Sequence, residues 1–187
     1  MTDARVLRSR ADLRQALFDL LQSSAWEQIT IRDITDRAGV GYTTYFRHYA
    51  NKDALLDDLA AEEIAALNAL TAPIYDAVDS RAACLALCSF VEAHRPLWSV
   101  LLTGGAALVV RAELLRLGRA ATLARRNAGW LPPDLGATLA VSAIVELLSW
   151  WLRQPDAHPA EWVAEIMDRI AIAPAERASG VKGGASP

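Results

Sequence analysis

Apolar residues recur at three- and four-residue spacing along most of the chain, and nowhere does the pattern settle into strand-like alternation. Leu13, Leu17, Leu20 and Leu21 form one stripe. They predict a first helix over roughly Asp3 to Ser23, with Arg5, Arg8, Arg10 and Arg14 on its outer face. Trp26 and Ile29 cover the start of a second helix. Thr30 is placed to cap it, with Asp33 in the capping-box position and Ile29 and Ile34 as a hydrophobic staple. Ala38-Gly39 ends it, because glycine accepts the left-handed conformation of a C-cap. Val40 is expected to point inward, and a third helix to cover about Gly41 to Tyr49. Asn51 suits the N-cap of a fourth helix. Leu55, Leu56, Leu59, Ile64, Leu67 and Leu70 carry its stripe onward, and Pro73 is expected to end it. Further helices are predicted near Ser80–Ala93, Pro96–Leu102, Ala106–Ala128, Pro133–Leu152 and Pro159–Ile172, separated by Gly104-Gly105, Gly129, Pro132-Pro133 and Pro155. The fold class is therefore all-α, with a small head over residues 1–50 and a larger helical domain over 51–173. The stretch 174–187, rich in Gly, Ala and Ser, reads as a disordered tail.

Composition narrows the partners. With 187 residues and 53% apolar content, a sizeable core is expected. The formal net charge of −3 argues against coating nucleic acid by bulk charge, so any DNA contact must come from a local patch. Cys84 and Cys88 lie four apart on one helical face, where their Cβ vectors run parallel, and read as reduced core residues. His48, His94 and His158 are scattered, so no metal site is expected, and no cofactor. The apolar run Leu135 to Leu152 falls just short of a membrane span and carries a polar stripe of Thr138, Ser142, Glu146, Ser149 and Arg153. A helix buried in protein is the expectation, with no membrane partner. The charged N-terminus lacks the apolar core of a signal peptide, which points to the cytoplasm. No nucleophile-base pattern, phosphate loop or metal spacing suggests an enzyme.

The second and third helices, joined by a glycine-containing turn, make a helix-turn-helix. The second helix of such a pair enters the major groove, and its N-terminal residues meet base edges. Here these are Gly41, Tyr42, Thr43 and Thr44. A threonine hydroxyl can donate or accept, and its methyl can pack on thymine. Tyr45 and Tyr49 are expected to pack inward. Arg47 and His48 are placed to reach phosphates. Lys52 adds a cation at the start of the fourth helix, and Thr30 offers a contact on the other side.

Residues 30–56, TIRDITDRAGVGYTTYFRHYANKDALL, resemble the DNA-binding signature of the TetR/AcrR (tetracycline-repressor-like) family. The match falls at Thr30, Ile34, Ala38, Gly39, Val40, Thr44, His48, Lys52 and Leu55. Gly41 departs from the usual Ser or Thr, Thr43 from a common Gly, Phe46 from a phosphate-contacting Tyr, and Tyr49 from Phe. Phe46 therefore offers the DNA backbone only apolar contact. The resemblance implies a homodimeric regulator, most often a repressor, that binds a palindromic operator in double-stranded DNA. It also implies that the C-terminal helices hold a small-molecule effector and the dimer interface.

Five of the six tryptophans fall in that C-terminal half, and aromatic walls suit an apolar or aromatic effector of unknown identity. Cys88, Trp98, Trp130, Glu146 and Trp150 are the candidate pocket residues, with Glu146 expected to pair with an arginine of the Ala106–Ala128 helix or to face a ligand. Leu139, Ala143, Trp151, Trp162, Ile166 and Ile170 are the candidate dimer seam. The alternative is a helical small-molecule-binding protein with no DNA function. It accounts for the tryptophans but not for the Thr30–Lys52 pattern.

Overall fold

In the computed structural model, residues 2–76, 79–104, 107–123 and 129–179 are described, and among them there is no strand. The chain divides into two compact units, residues 1–63 and 64–187. The boundary lies inside a helix, beyond the residue-50 limit expected for the head.

The first unit holds α1 (Thr2–Leu21), a single 3₁₀ turn (Trp26–Gln28), α2 (Ile31–Ala38), α3 (Tyr42–His48) and the start of α4 (Lys52–Asp76). The stripe on α1 meets α2 and α4 in a core of Leu13, Leu17, Leu21, Ile29, Ile34, Leu55, Leu56 and Leu59, all at most 5% exposed. Each such leucine or isoleucine contributes about 1.5–3 kcal/mol by leaving water. The capping box forms as the sequence requires. The Thr30 hydroxyl oxygen accepts from the Asp33 backbone N–H at 3.2 Å, and the Asp33 carboxylate accepts from the Thr30 N–H at 2.8 Å. Gly39 ends α2 at φ 63°, where any side chain would be strained. Asn51 caps α4 through its side-chain oxygen, which accepts from the Ala54 N–H at 2.8 Å.

Pro73 does not end α4, which runs on to Asp76. Proline forfeits one backbone bond, but its fixed φ near −65° is a helical value, and the flanking turns carry the helix past it.

The second unit contains α5 (Ser80–Ala93), α6 (Arg95–Thr103), α7 (Ala107–Leu123), α8 (Pro133–Leu152), α9 (Ala160–Met167), a π-helical turn (Asp168–Ile172) and α10 (Ala173–Ser179). α8 is long and apolar enough to cross a membrane by length and composition, but it packs against α6, α7, α9 and α10. Gly118 brings α7 close to α8: a Cβ there would lie 2.6 Å from Val141 Cγ2. The core gathers Cys84, Cys88, Val91, Leu97, Trp98, Leu101, Leu148, Trp151, Val163 and Met167. Cys84 and Cys88 are free and buried, and burial pushes both thiols up to about 12, so neither is a thiolate nucleophile at neutral pH.

The C-terminal stretch departs from the expected tail. Residues 174–179 are helical, and the Leu131 N–H donates to the Ala178 carbonyl. Alanine, glutamate and arginine in APAERAS are good helix formers, and α10 packs on α8, which low-complexity composition alone conceals. The expected tail beyond residue 179 lies outside the described residues, as does the end of the predicted Ala106–Ala128 helix.

Candidate nucleic-acid interface

α3 is a two-turn helix whose side chains sort by angle. At 100° per residue, Tyr45 and Tyr49 share one face, and they are 0% and 5% exposed. The Tyr45 hydroxyl donates to the Asn51 carbonyl at 3.0 Å, tying the end of α3 to the start of α4. The opposite face presents Thr43 and Arg47, both exposed. Tyr42 and Phe46 form one flank, 56% and 47% exposed, with their rings edge to face at 5.2 Å. Thr44 and His48 form the other flank, half-buried, and turn toward α1. Gly41 is the N-cap and makes no side-chain cap.

The sequence pattern groups Arg47 and His48 as phosphate contacts, but the helix separates them. Arg47 stands at the centre of the outward face with no partner among the described residues. His48 is committed to α1: its Nε2 lies 2.8 Å from Ser9 Oγ. Thr30 is exposed but engaged in its capping box.

Lys52 has a different duty from the expected phosphate contact. Its ammonium donates to the Trp26 and Ile29 carbonyls at 2.7 and 2.8 Å and sits 4.0 Å from the centre of the Trp26 ring. Two of its three donors thus hold the 3₁₀ turn that leads into α2. Lys52→Met, which keeps the stem and removes the charge, should lower the stability of the head by about 1.5–3 kcal/mol, the range for hydrogen bonds to a charged group. Thermal melts check this. The salt dependence of DNA binding should stay unchanged, and a flatter slope with an unaltered melt would return Lys52 to the phosphate contacts.

Tyr49, which ends α3, joins a cluster invisible in the sequence. Asp58 on α4 accepts from Arg10 (Nε, 2.9 Å), from Arg14 (3.1 Å) and from the Tyr49 hydroxyl (2.6 Å). Arg14 also pairs with Glu62, and Arg37 on α2 pairs with Asp19 on α1 at 2.8 Å. Burial alone would raise the Asp58 pKa, but the bonds from Arg10, Tyr49 and Arg14 outweigh it and hold the group at about 2. The Tyr49 hydroxyl is pushed up to about 12 by burial and by its bond to Asp58. Arg10 and Arg14 tie α1 to α4, and Arg37 ties α2 to α1.

In the second unit the candidate residues separate by burial. Cys88 and Trp98 are 0% exposed, and the Trp98 indole N–H has no acceptor among the described residues. Trp130 is 81% exposed and does not line an interior pocket. Glu146 is exposed and pairs with Arg111 of α7, as the sequence suggested. Trp150 points outward and Trp151 inward, the reverse of the sequence assignment. Neighbours on a helix lie 100° apart, so only one of two adjacent tryptophans can face the core. Trp151 is fully buried, its indole donates to the His158 carbonyl at 2.8 Å, and it takes no part in an outer seam. Leu139, Ala143 and Trp150 continue down the outer side of α8. Trp162 and Ile166 of α9 and Ile170 of the π-helical turn follow at four-residue spacing, with Leu139, Trp162 and Ile170 exposed at 55%, 42% and 57%.

The first unit is a helix-turn-helix head of the kind that sets one helix against DNA. Residues 13–59 match the family described as bacterial regulatory proteins, tetR family. A curated relative, the uncharacterized HTH-type transcriptional regulator YxbF of Bacillus subtilis (strain 168), is 40% identical over 58 residues, 30% of this chain. The chain spans only 15% of that protein's length. Three solved structures share the fold along nearly the whole chain. A TetR transcriptional regulator from Streptococcus agalactiae 2603V aligns with a TM-score of 0.62 at 22% identity, over 91% of this chain and 97% of that one. NalD of Pseudomonas aeruginosa, the secondary repressor of the MexAB-OprM multidrug efflux pump, aligns with a TM-score of 0.61 at 18% identity, over 91% and 94%. RolR in complex with resorcinol aligns with a TM-score of 0.65 at 19% identity, over 99% and 98%. The match to the tetR family covers the head, residues 13–59, and most of the chain shares the fold of these structures.

Proposed function

We propose that the protein is a ligand-responsive repressor that binds a palindromic operator as a homodimer in the cytoplasm and releases it on binding a small apolar or aromatic effector. The observation that carries this reading is the outward face of α3. Thr43 and Arg47 stand opposite the buried tyrosines with nothing among the described residues to satisfy them. Arginine pairs with guanine O6 and N7, and threonine accepts or donates at either base. Gly41 leaves room for the backbone to approach, while Tyr42, Thr44 and Phe46 border the contact. One short helix reads few bases, so two copies on half-sites at least one DNA turn apart (about 10 bp or more) multiply the discrimination.

The apolar stripe of exposed Leu139, Trp150, Trp162 and Ile170 with half-buried Ala143 and Ile166 supports self-association, because apolar surface of this kind marks interfaces. A small aromatic effector is supported by Trp98. A buried indole N–H without an acceptor suits a ligand that brings a hydroxyl or carbonyl oxygen. RolR, of the same fold, is described with resorcinol, a molecule of that class.

Selection of genomic fragments by the pure chain tests the DNA role. Thr43→Val and Arg47→Ala, both at exposed positions, should leave the melt unchanged and relax preference at one or two base pairs per half-site. The expected loss of discrimination is about 1–3 kcal/mol for each contacted pair, roughly five- to 150-fold. Retention of no fragment would favour a carrier without a DNA function, and unchanged preference in both variants would remove the outward face of α3 from readout.

A further inference from the structure

We infer that the first turns of α1 form a second DNA contact, in which Arg5 and Arg8 clamp the phosphate backbone beside the recognition helix. A groove of about 800 Å³ runs between the start of α1 and the turn leading into α3. Arg5, Arg8 and Ser9 line one wall, and Gly39, Gly41, Thr44, Arg47 and His48 the other. The arginines of α1 divide into two groups. Arg10 and Arg14 are spent on Asp58 and Glu62. Arg5 and Arg8 are exposed and have no ion-pair partner among the described residues. Together with Arg47 they place three uncommitted cations around one groove in a chain whose net charge is −3. The His48–Ser9 contact pins the groove's far wall to α1, so the two cationic edges keep their spacing. A polyanionic backbone passing the mouth of α3 is the occupant this charge arrangement fits. Asp12, which also lines the groove, is the one carboxylate facing it among the described residues and opposes that occupant.

The inference rests on the DNA-binding reading and adds α1 to it. The test is titration of a selected genomic duplex with the full chain across a range of salt. Arg5→Ala with Arg8→Ala should flatten the slope of log affinity against log salt by about 0.9 for each phosphate no longer neutralised, about 2 per head, with the base preference kept. The paired lysine substitutions should restore the slope. Asp12→Asn should tighten binding on the order of fivefold by removing a like charge near the phosphates. This gain of affinity cannot arise from damage to the fold. An unchanged slope in the double alanine variant, or no gain in Asp12→Asn, would overturn the clamp while leaving readout by α3 intact. A wild-type chain that retains no duplex even at low salt would overturn both.

Discussion

Trp151→Ala should destabilise the second unit by about 3–5 kcal/mol, whereas Trp150→Ala should leave its stability nearly unchanged. The two residues are adjacent in sequence and identical in type, so the contrast isolates burial. Trp151 is 0% exposed in the core of α6, α8 and α9, and the Arg95 guanidinium lies 5.3 Å from its ring centre. Truncation removes an entire ring, leaves a cavity, and orphans the His158 carbonyl that its indole satisfies. Trp150 is 38% exposed, stacked at 5.9 Å on the exposed imidazole of His158, which in turn stacks at 4.1 Å on Trp162. Its loss removes aromatic surface rather than core. Calorimetry at matched protein concentration checks the first effect. Sedimentation checks the second, since Trp150→Ala should weaken self-association. Equal melting temperatures for the two variants would contradict the assignment of Trp151 to the core.

Asp58→Ala should cost the head about 2–4 kcal/mol, less than a fully buried ion-pair deletion because its side chain is 18% exposed. The variant leaves the Tyr49 hydroxyl without its acceptor and both Arg10 and Arg14 without their shared carboxylate. The same cluster predicts acid sensitivity. The folded pKa of Asp58, about 2, lies below the unfolded value near 3.9, so its contribution is complete above the unfolded pKa and is lost as pH falls through the folded one. The window is about pH 4 down to 2, and the loss about 2 kcal/mol. Asp58→Asn should remove that acid limb while keeping an acceptor for Tyr49, and should be milder than alanine at neutral pH. Denaturant midpoints at pH 7, 4 and 2.5 measure this. An Asn variant that lost stability over the same acid window as wild type would assign the acid limb to other carboxylates.

Local rules make much of the head legible. Thr30 with Asp33, Gly39 after Ala38, and Asn51 before Lys52 are signals in which a side chain meets its own nearby backbone, and each forms as its spacing requires. The inward pair Tyr45 and Tyr49 follows from helical period alone. Long-range contacts are hidden. Nothing in the sequence says that Lys52 reaches back 26 residues to the Trp26 carbonyl, or that Arg10 and Arg14 meet a carboxylate more than forty residues on. A free arginine and a committed one look alike in sequence, and only their partners separate Arg10 and Arg14 from Arg5 and Arg8. In the second unit, apolar content surrounds α8, and period cannot choose between Trp150 and Trp151 when both faces are partly apolar. Compositional bias likewise reads residues 174–179 as tail, although they form α10 on α8.

The most direct measurement is a hydroxyl-radical footprint of the intact chain on a genomic duplex chosen by selection. Two protected half-sites of matching sequence, on one face of the duplex and one or more turns apart, are expected, with both vanishing together when Thr43 and Arg47 are replaced. A footprint of a single unrepeated site, or one that the Thr43 and Arg47 substitutions leave unchanged, would contradict docking of paired heads through α3.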